Sequence, residues 1–241
     1  NQYTPVVKIP EDFSLAFIGT NTGLGTRIDG DTTRRGFLYY YSGTGCPSSD
    51  SNNTISDTID LYFQDIIVQN CHIVETCGST TYANGGGMRL DCDSSSVMNV
   101  NIDHCIFRDN RSYDANGPNS GGRSASGGAI FIYGRRNANT TNQSLYAQAH
   151  ISNCDFSGNF GHQKSNGGHG GAVLLRDLDT ASVTNSSFCD NYVYSTNADN
   201  GDLQHDRNAG GALCFYDLTS SNPGHKYHVD QCTFINNQAT V

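Results

Sequence analysis

The chain has 241 residues and a formal net charge of −9, and charged residues make up 15% of it. The acidic balance excludes the basic surface of a nucleic-acid-binding protein. No apolar stretch approaches the roughly 18 residues that a membrane helix needs. The chain is also too rich in Tyr, Phe and β-branched residues for a disordered protein, so a folded protein of one or two domains is expected.

Residues 1–60 predict the opening rungs of a β-structure. Short apolar segments at 15–19, 26–30 and 36–40 have a strand-like composition, and glycine-containing turns separate them. β-branched and aromatic residues favour strands, whereas the long runs of Ala, Leu, Glu and Lys that favour helices are missing. A polar insertion at 42–58, which contains Cys46, follows the third segment.

The rest of the chain, residues 61–241, repeats with a period of about 42 residues and contains two alternating motifs. Glycine pairs precede short apolar strands at 85–88, 127–130, 170–173 and 210–213. A Phe-x-x-Asn motif alternates with them at 107–110, 156–159, 188–191 and 234–237. Two strand segments in each of four repeats predict rungs of about 21 residues, and therefore about nine or ten rungs in the chain.

A repeat of this size predicts an all-β fold, a single-stranded parallel β-helix that forms one domain over 1–241. A single coil cannot bury its apolar face, but stacked coils make a continuous core and place the same residue type at the same point of every rung. An antiparallel sandwich would instead need a hairpin turn every 8–12 residues or so.

Three sets of residues are expected to hold the coils together. An internal stack of aromatic rings is predicted for Phe107, Phe156, Phe188 and Phe234. A hydrogen-bonded ladder is predicted for Asn110, Asn159, Asn191 and Asn237. Sharp corners, where glycine tolerates a positive φ, are predicted at Gly127, Gly128, Gly170, Gly171, Gly210 and Gly211.

The alternation of Gly-Gly-Ala-[Ile/Val/Leu] with Phe-x-x-Asn resembles the repeat signature of the polymorphic outer membrane proteins, a family of bacterial surface adhesins. The resemblance covers the chain from about Leu61 to the C-terminus. It implies a right-handed β-helix and a passenger role at the cell surface. No segment of the sequence resembles the translocator barrel that the bacterial family carries, and the loops are longer and richer in Asn.

Candidate residues for chemistry are few. Gly168-His169-Gly170 resembles a polygalacturonase motif, but the paired aspartates and the Arg-x-Lys of those enzymes are absent. Hydrolysis of a glycosidic bond needs two carboxylates at a defined separation, so no catalytic residue is predicted.

Two groups of loop residues are weak candidates for a metal ion. Asp199 and Asp202 offer oxygen ligands suited to a structural Ca²⁺, without a full calcium-loop pattern. His162, His169 and His205 lie in insertions that are expected on one side of the β-helix, and imidazoles are common metal ligands. No other cofactor is expected.

The nine cysteines show no zinc-site spacing. Cys105, Cys154 and Cys232 share one phase of the repeat. With a glycine-type rung between successive copies, they are expected to lie about 9–10 Å or more apart, too far for a disulfide. Pairs about one rung apart in sequence are better disulfide candidates, and these are Cys71 with Cys92, Cys189 with Cys214, and Cys46 with Cys77 across the first insertion.

The sequence contains five N-glycosylation sequons, and the predicted ladder separates one poor acceptor from the others. Asn52, Asn139, Asn142 and Asn185 are candidate acceptors, whereas Asn110 is a predicted ladder residue and therefore a poor acceptor.

We expect an extracellular, cell-surface protein with a structural or adhesive role and no enzymatic activity. Its expected partners are a second copy stacked head-to-tail in a filament, neighbouring repeats of a longer chain, surface glycans, or a host or cell-surface receptor. The alternative is a carbohydrate-active or carbohydrate-binding β-helix related in function to polysaccharide lyases, epimerases and hydrolases. An ice-binding solenoid would need regular outward ranks of Thr, which the repeats lack.

Overall fold

The structure, a computed structural model, describes residues 5–10, 14–20, 25–40, 58–75, 84–92, 97–114, 125–134, 147–163, 168–195, 210–216 and 225–240. All the strands in these residues pair in parallel, and no helix occurs among them. The predicted all-β parallel β-helix is therefore confirmed. The same residues contain no candidate for a membrane-spanning helix.

The strands form four sheets, named A to D here. Sheet A contains β1 (Val7–Lys8), β4 (Phe37–Tyr40), β8 (Met88–Cys92), β12 (Ile130–Gly134), β16 (Val173–Arg176) and β20 (Leu213–Tyr216). Sheet B contains β2 (Leu15–Ile18), β5 (Thr58–Gln64), β9 (Val97–Asp103), β13 (Gln148–Ser152), β17 (Thr180–Thr184) and β21 (Lys226–Asp230). Sheet C contains β3 (Thr26–Asp29), β6 (Ile66–Gln69), β10 (Ile106–Arg108), β14 (Asp155–Ser157), β18 (Ser187–Cys189) and β22 (Thr233–Ile235). Sheet D contains β7 (His72–Glu75), β11 (Arg111–Asp114), β15 (Phe160–Gln163), β19 (Tyr192–Ser195) and β23 (Gln238–Thr240).

One sequence repeat makes one complete coil. The chain passes through sheets B, C, D and A in that order, so β5–β8, β9–β12, β13–β16 and β17–β20 form coils 2 to 5. Coil 1 is β2–β4, and coil 6 is β21–β23. The expected count of nine or ten rungs is wrong, because the glycine strand and the Phe-x-x-Asn segment of one repeat lie in different sheets of the same coil and not on successive rungs.

Tight corners join sheet B to sheet C and sheet C to sheet D. In coil 3, a residue with a left-handed backbone precedes an inward-pointing residue at both of these corners. His104 (φ 48°) precedes Cys105 at the first corner, and Asp109 (φ 54°) precedes Asn110 at the second. The left-handed region admits Asn, Asp and His more readily than other non-glycine residues. This preference explains the polar residues at the corresponding corners of other coils, which are Asp65, Asn70, Asn153, Asn185, Asp190 and Asn236.

The interior contains the predicted phenylalanine stack. Successive ring centroids from Phe107 through Phe156 and Phe188 to Phe234 lie 5.1, 4.7 and 4.9 Å apart, and the rings are within 8° of parallel. Phe107 also pairs in register with Val68 of coil 2. The stack lies in one core that runs through the coils, with most of its side chains almost fully buried. Removal of this apolar surface from water is the main favourable contribution to stability.

The predicted asparagine ladder is present beside this stack. Asn159 shows the pattern: its Oδ1 accepts hydrogen bonds from the backbone N–H and the Nδ2 of Asn110, at 3.2 and 3.0 Å. Its Nδ2 donates to the carbonyl oxygen of Phe107 and to Oδ1 of Asn191, both at 2.9 Å. Asn191 and Asn237 repeat these contacts in coils 5 and 6. The buried carboxamides thus satisfy backbone groups at a corner where the regular sheet hydrogen bonds stop.

The glycine pairs make the corner between sheets D and A, and each glycine of a pair is required for a different reason. Gly170 has a φ of 63°, which favours glycine strongly. Gly171 lies against the next coil, where a Cβ atom would come within 2.0 Å of the Gly211 carbonyl oxygen. The pair at 127–128 combines a positive φ with a close approach to the next coil in the same way. The pair at 210–211 does so too, and there the close approach is to the backbone of Gln238 in coil 6.

The cysteine predictions need correction. Cys71 and Cys189 are free thiols, so neither is bonded to Cys92 or Cys214. The prediction assumed that cysteines about 21 residues apart lie on successive rungs, but a repeat of about 42 residues makes one coil. Cys71 follows a strand of sheet C, whereas Cys92 ends a strand of sheet A in the same coil. Burial raises the pKa of the Cys71 thiol to about 12, which keeps it protonated and unreactive. Cys46 and Cys77 lie outside the described residues.

The expected separation of Cys105 and Cys154 is also wrong. They occupy equivalent positions in coils 3 and 4, since the residues that follow them, Ile106 and Asp155, pair in register. The backbone N–H of Cys105 donates to Sγ of Cys154 at 3.4 Å. Ser186 holds the same position in coil 5 and separates Cys154 from Cys232 in coil 6.

Replacement of Asn159 by Ala tests the ladder. The substitution removes four hydrogen bonds and leaves several buried polar groups unpaired, so we expect the free energy of unfolding to fall by about 3–5 kcal/mol. Asn99→Ala is the matched control, because Asn99 also bonds to the previous coil, Nδ2 to Asp60 Oδ1 at 2.8 Å, but on the outer face. Urea denaturation of the two variants should separate them, and equal losses would contradict the role of the buried ladder.

Candidate functional site

The insertions of this β-helix fall at two of its four corners. From β4 to β21, the segments outside the described residues connect sheet D to sheet A (76–83, 115–124, 164–167 and 196–209) or sheet A to sheet B (41–57, 93–96, 135–146 and 217–224). Sheet A is therefore bordered on both sides by the points where these segments leave and rejoin the coils. Loops carry function more often than the elements they connect, which makes the outer face of sheet A the candidate site.

Alternation along the sheet A strands defines which residues form this face. Ile130 and Ile132 of β12 belong to the main core, whereas Phe131 belongs to a separate cluster, against which Tyr133 packs. In-register pairing extends this pattern across four coils as two columns of side chains. The first column is Arg89, Phe131, Leu174 and Cys214, and the second is Asp91, Tyr133, Arg176 and Tyr216.

An ion pair joins the two columns in coil 2. Arg89 donates from Nε and Nη2 to Oδ2 of Asp91, at 3.0 and 2.6 Å. The Arg89 guanidinium carbon lies 5.9 Å from the ring centroid of Phe131. Both charged side chains are about nine-tenths buried. Oδ1 of Asp91 is buried without a hydrogen-bond partner, an arrangement that costs stability in a purely structural pair.

A second arginine lies between two tyrosines. The Arg176 guanidinium carbon is 5.0 Å from the ring centroid of Tyr133 in coil 3 and 5.4 Å from that of Tyr216 in coil 5. Its Nε lies 3.2 Å from Oδ2 of Asp177. His169 also packs on Tyr216, and the centroids of the two rings lie 4.8 Å apart. Cation–π contacts on both faces of one guanidinium fix its position and orientation.

Each arginine in the two columns of this face therefore has a carboxylate partner and an aromatic neighbour. Phe131 and Leu174 are 2% exposed although they point away from the main core. Such an arrangement is suited to holding the adjoining segments and presenting polar groups in fixed positions. The described side chains of this face do not include the pair of free carboxylates, at a defined separation, that glycosidic hydrolysis requires.

The histidines predicted as possible metal ligands lie on different faces. His162 points outward from sheet D and stacks on Tyr113, with centroids 4.5 Å apart. The ring of Tyr194 lies on its other side, tilted by 38° with centroids 5.4 Å apart. His169 precedes the corner glycine Gly170 and packs on the sheet A face. The structure thus does not bring these two together. Within the described ranges, no group of three or more His, Cys, Asp or Glu side chains forms a metal-binding cluster. Asp199, Asp202 and His205 lie outside those ranges.

Two of the sequons can be compared in the structure. Asn185 is exposed at a tight corner between sheets B and C, so a glycan there is compatible with the fold. Asn110 is fully buried and its Nδ2 makes two ladder hydrogen bonds, so a glycan there is not. Asn52, Asn139 and Asn142 lie outside the described residues.

Comparison with known proteins gives no match for this chain among protein-family models, curated proteins or solved structures.

Sequence reasoning missed the Arg–Tyr columns, although a signal for them was present. Alignment of the Gly-Gly strands places Tyr133, Arg176 and Tyr216 at the same offset from the glycine pair, six residues after its first glycine. Three large polar side chains at one outward position of successive coils indicate a column on the surface.

Replacement of Arg176 by Ala tests the rigidity of this face. The substitution removes both cation–π contacts and one ion-pair partner of the buried Asp177 carboxylate, so we expect a loss of about 2–4 kcal/mol in the free energy of unfolding. Arg111→Ala, at an exposed arginine of sheet D, is the control and should change stability by less than about 0.5 kcal/mol. Chemical denaturation of both variants provides the measurement, and an Arg176 variant as stable as the control would contradict this assignment.

Proposed function

We propose that this protein is an extracellular structural or adhesive protein, a rigid β-helical rod that assembles head-to-tail with further copies of itself and displays the segments bordering sheet A. The observation that carries the proposal is the regular joining of successive coils. The phenylalanine stack and the asparagine ladder run from coil 3 to coil 6 with nearly constant geometry, and Phe234 of coil 6 is 48% exposed.

The rod is expected to be stiff because each coil is joined to the next in several ways at once. Parallel strands pair in four sheets, and the phenylalanine stack and asparagine ladder run alongside them. Repeat proteins of this kind derive their stability from contacts between neighbouring units. A rigid scaffold with insertions at fixed corners suits a protein that presents surfaces at a distance from its point of attachment.

Head-to-tail stacking would cover apolar side chains of coils 1 and 6 that are partly or largely exposed. At coil 6, Val229 and Phe234 belong to inward-pointing columns but are 42% and 48% exposed. At coil 1, Leu15, Phe17 and Ile28 are only partly buried against the core. Head-to-tail stacking keeps strands parallel across the junction, as they are inside the molecule, and such a contact propagates into a filament.

Carbohydrate binding is the second candidate function, and the sheet A face is the observation in its favour. Tyr133, Arg176 and Tyr216 resemble the aromatic and planar polar groups with which proteins hold sugars. However, Arg176 already covers a face of both tyrosine rings. A sugar would have to displace the guanidinium to stack on these rings, so assembly and display remain the better-supported role.

Sedimentation velocity over a range of protein concentrations, followed by electron microscopy of the same samples, tests the assembly. The wild-type protein should form elongated species that grow with concentration and appear as fibres. Phe234→Lys places a charge in the apolar end of the core and should abolish these species, with at least a tenfold loss in association.

Ile235→Lys is the matched control. Ile235 neighbours Phe234 on β22 and is similarly exposed at 50%, but it lies in the outward column of sheet C together with Cys189. This variant should assemble like the wild type. A wild-type protein that stays monomeric at every concentration, or equal behaviour of the two variants, would contradict the proposal.

A further inference from the structure

A column of sulfur and hydroxyl side chains runs along the inside of the corner between sheets B and C. Its members are Cys105, Cys154, Ser186 and Cys232, one from each of coils 3 to 6. Each follows a residue with a left-handed backbone, which turns its own side chain inward. Within the column, Cys105 and Cys154 are the cysteines that directly neighbour each other, since Ser186 separates Cys154 from Cys232.

The two neighbouring thiols are in contact and shielded from water. Cys105 and Cys154 are each 1% exposed. Both are free thiols in this structure. Sγ of Cys154 accepts a hydrogen bond from the backbone N–H of Cys105 at 3.4 Å. Burial raises the pKa of the Cys154 thiol well above its ordinary value, whereas the hydrogen bond from Cys154 lowers the pKa of the Cys105 thiol.

The backbone places these residues at a separation that a disulfide can span. Neighbouring parallel strands lie about 4.8 Å apart, and Cys105 and Cys154 occupy equivalent positions immediately before the paired residues Ile106 and Asp155. Disulfides join Cα atoms separated by about 4.4–6.8 Å. The Cβ atoms of a disulfide lie about 3.5–4.5 Å apart, so bond formation needs a small approach of the two backbones as well as side-chain rotation, while the register of the coils is kept.

We propose that Cys105 and Cys154 are a cross-linking site that becomes an intercoil disulfide when the chain folds in the presence of a small-molecule disulfide. The Cys105 thiolate attacks one sulfur of that oxidant and expels a thiol, forming a mixed disulfide. Cys154 then attacks the Cys105 sulfur and expels the second thiol. One S–S bond forms in the protein and one breaks in the oxidant, and the two protons and two electrons leave on the two thiols released.

The timing follows from the burial of the pair. Because both sulfurs are almost inaccessible in the folded coil, a dissolved oxidant reaches them during folding or local opening and reacts slowly with the native state. The bond would covalently join coils 3 and 4 in the middle of the rod and close a chain segment of about 50 residues, a loop length at which a disulfide restricts the unfolded chain considerably.

Refolding from denaturant tests the inference. One sample is refolded with a mixture of reduced and oxidised glutathione and another with dithiothreitol alone, and both are alkylated, digested without reduction and analysed by mass spectrometry. We expect a linked peptide pair containing Cys105 and Cys154 in the first sample. We also expect its unfolding midpoint to be higher than that of the second by about 5–10 °C. Recovery of both cysteines as alkylated thiols from the correctly folded first sample would overturn the inference.

Serine variants supply matched controls, because Ser186 shows that serine fits this column. Cys105→Ser and Cys154→Ser should fold, lose the linked peptide and show no thermal shift between the two refolding conditions. A shift that persists in both variants would assign the effect to other cysteines and overturn the inference. Ser186→Cys should link the introduced thiol to Cys232, or to Cys154 in place of the bond between Cys105 and Cys154, and refolding of this variant without any linkage in the column would also contradict the inference.

Discussion

The structure depends on the in-register stacking of one coil on the next. Regular hydrogen bonds between parallel strands cannot continue around the corners, where backbone groups would be buried without partners. The buried carboxamides solve this problem at the corner between sheets C and D: each accepts hydrogen bonds from the previous coil and donates to it, and Asn110, Asn159 and Asn191 are fully buried. A shift of one residue in a sheet C strand of coils 3 to 6 would break the ladder and the phenylalanine stack together, so both fix the same register.

This constraint explains why the coils tolerate insertions at some corners and not at others. Successive ladder residues are separated by 49, 32 and 46 residues from Asn110 to Asn237, yet their positions in the coil are the same. The variation is confined to the segments that enter and leave sheet A. The corner between sheets C and D, which carries the ladder, is tight in coils 3 to 6, since an added residue there would displace the buried amide. The corner of constant length thus contributes to stability, and the corners of variable length carry the insertions.

The sequence predicts the interior of this fold better than its surface. Phe107 and Asn110 have counterparts in coils 4 to 6 because identical neighbours stack on them, so their roles could be predicted without coordinates. The number of coils could not, because two strand motifs in 42 residues fit two short rungs as well as one long coil with four sheets. That error also separated Cys105 from Cys154, which are neighbours. Alignment of the glycine strands places Arg176 in one column with Tyr133 and Tyr216, but its position over both rings depends on side-chain orientation, which the alignment does not predict.

Native-state hydrogen exchange measures the central claim, that the buried ladder holds the coils in register. The backbone amides of Asn110, Asn159 and Asn191 donate to side-chain oxygens and not to a neighbouring strand's carbonyl. If the ladder binds the coils as tightly as the sheets do, these amides exchange through global unfolding, with the same free energy of opening as the sheet A amide of Met88, which donates to Ala129. Exchange of the ladder amides through local opening, at a free energy well below that of Met88, would contradict the account.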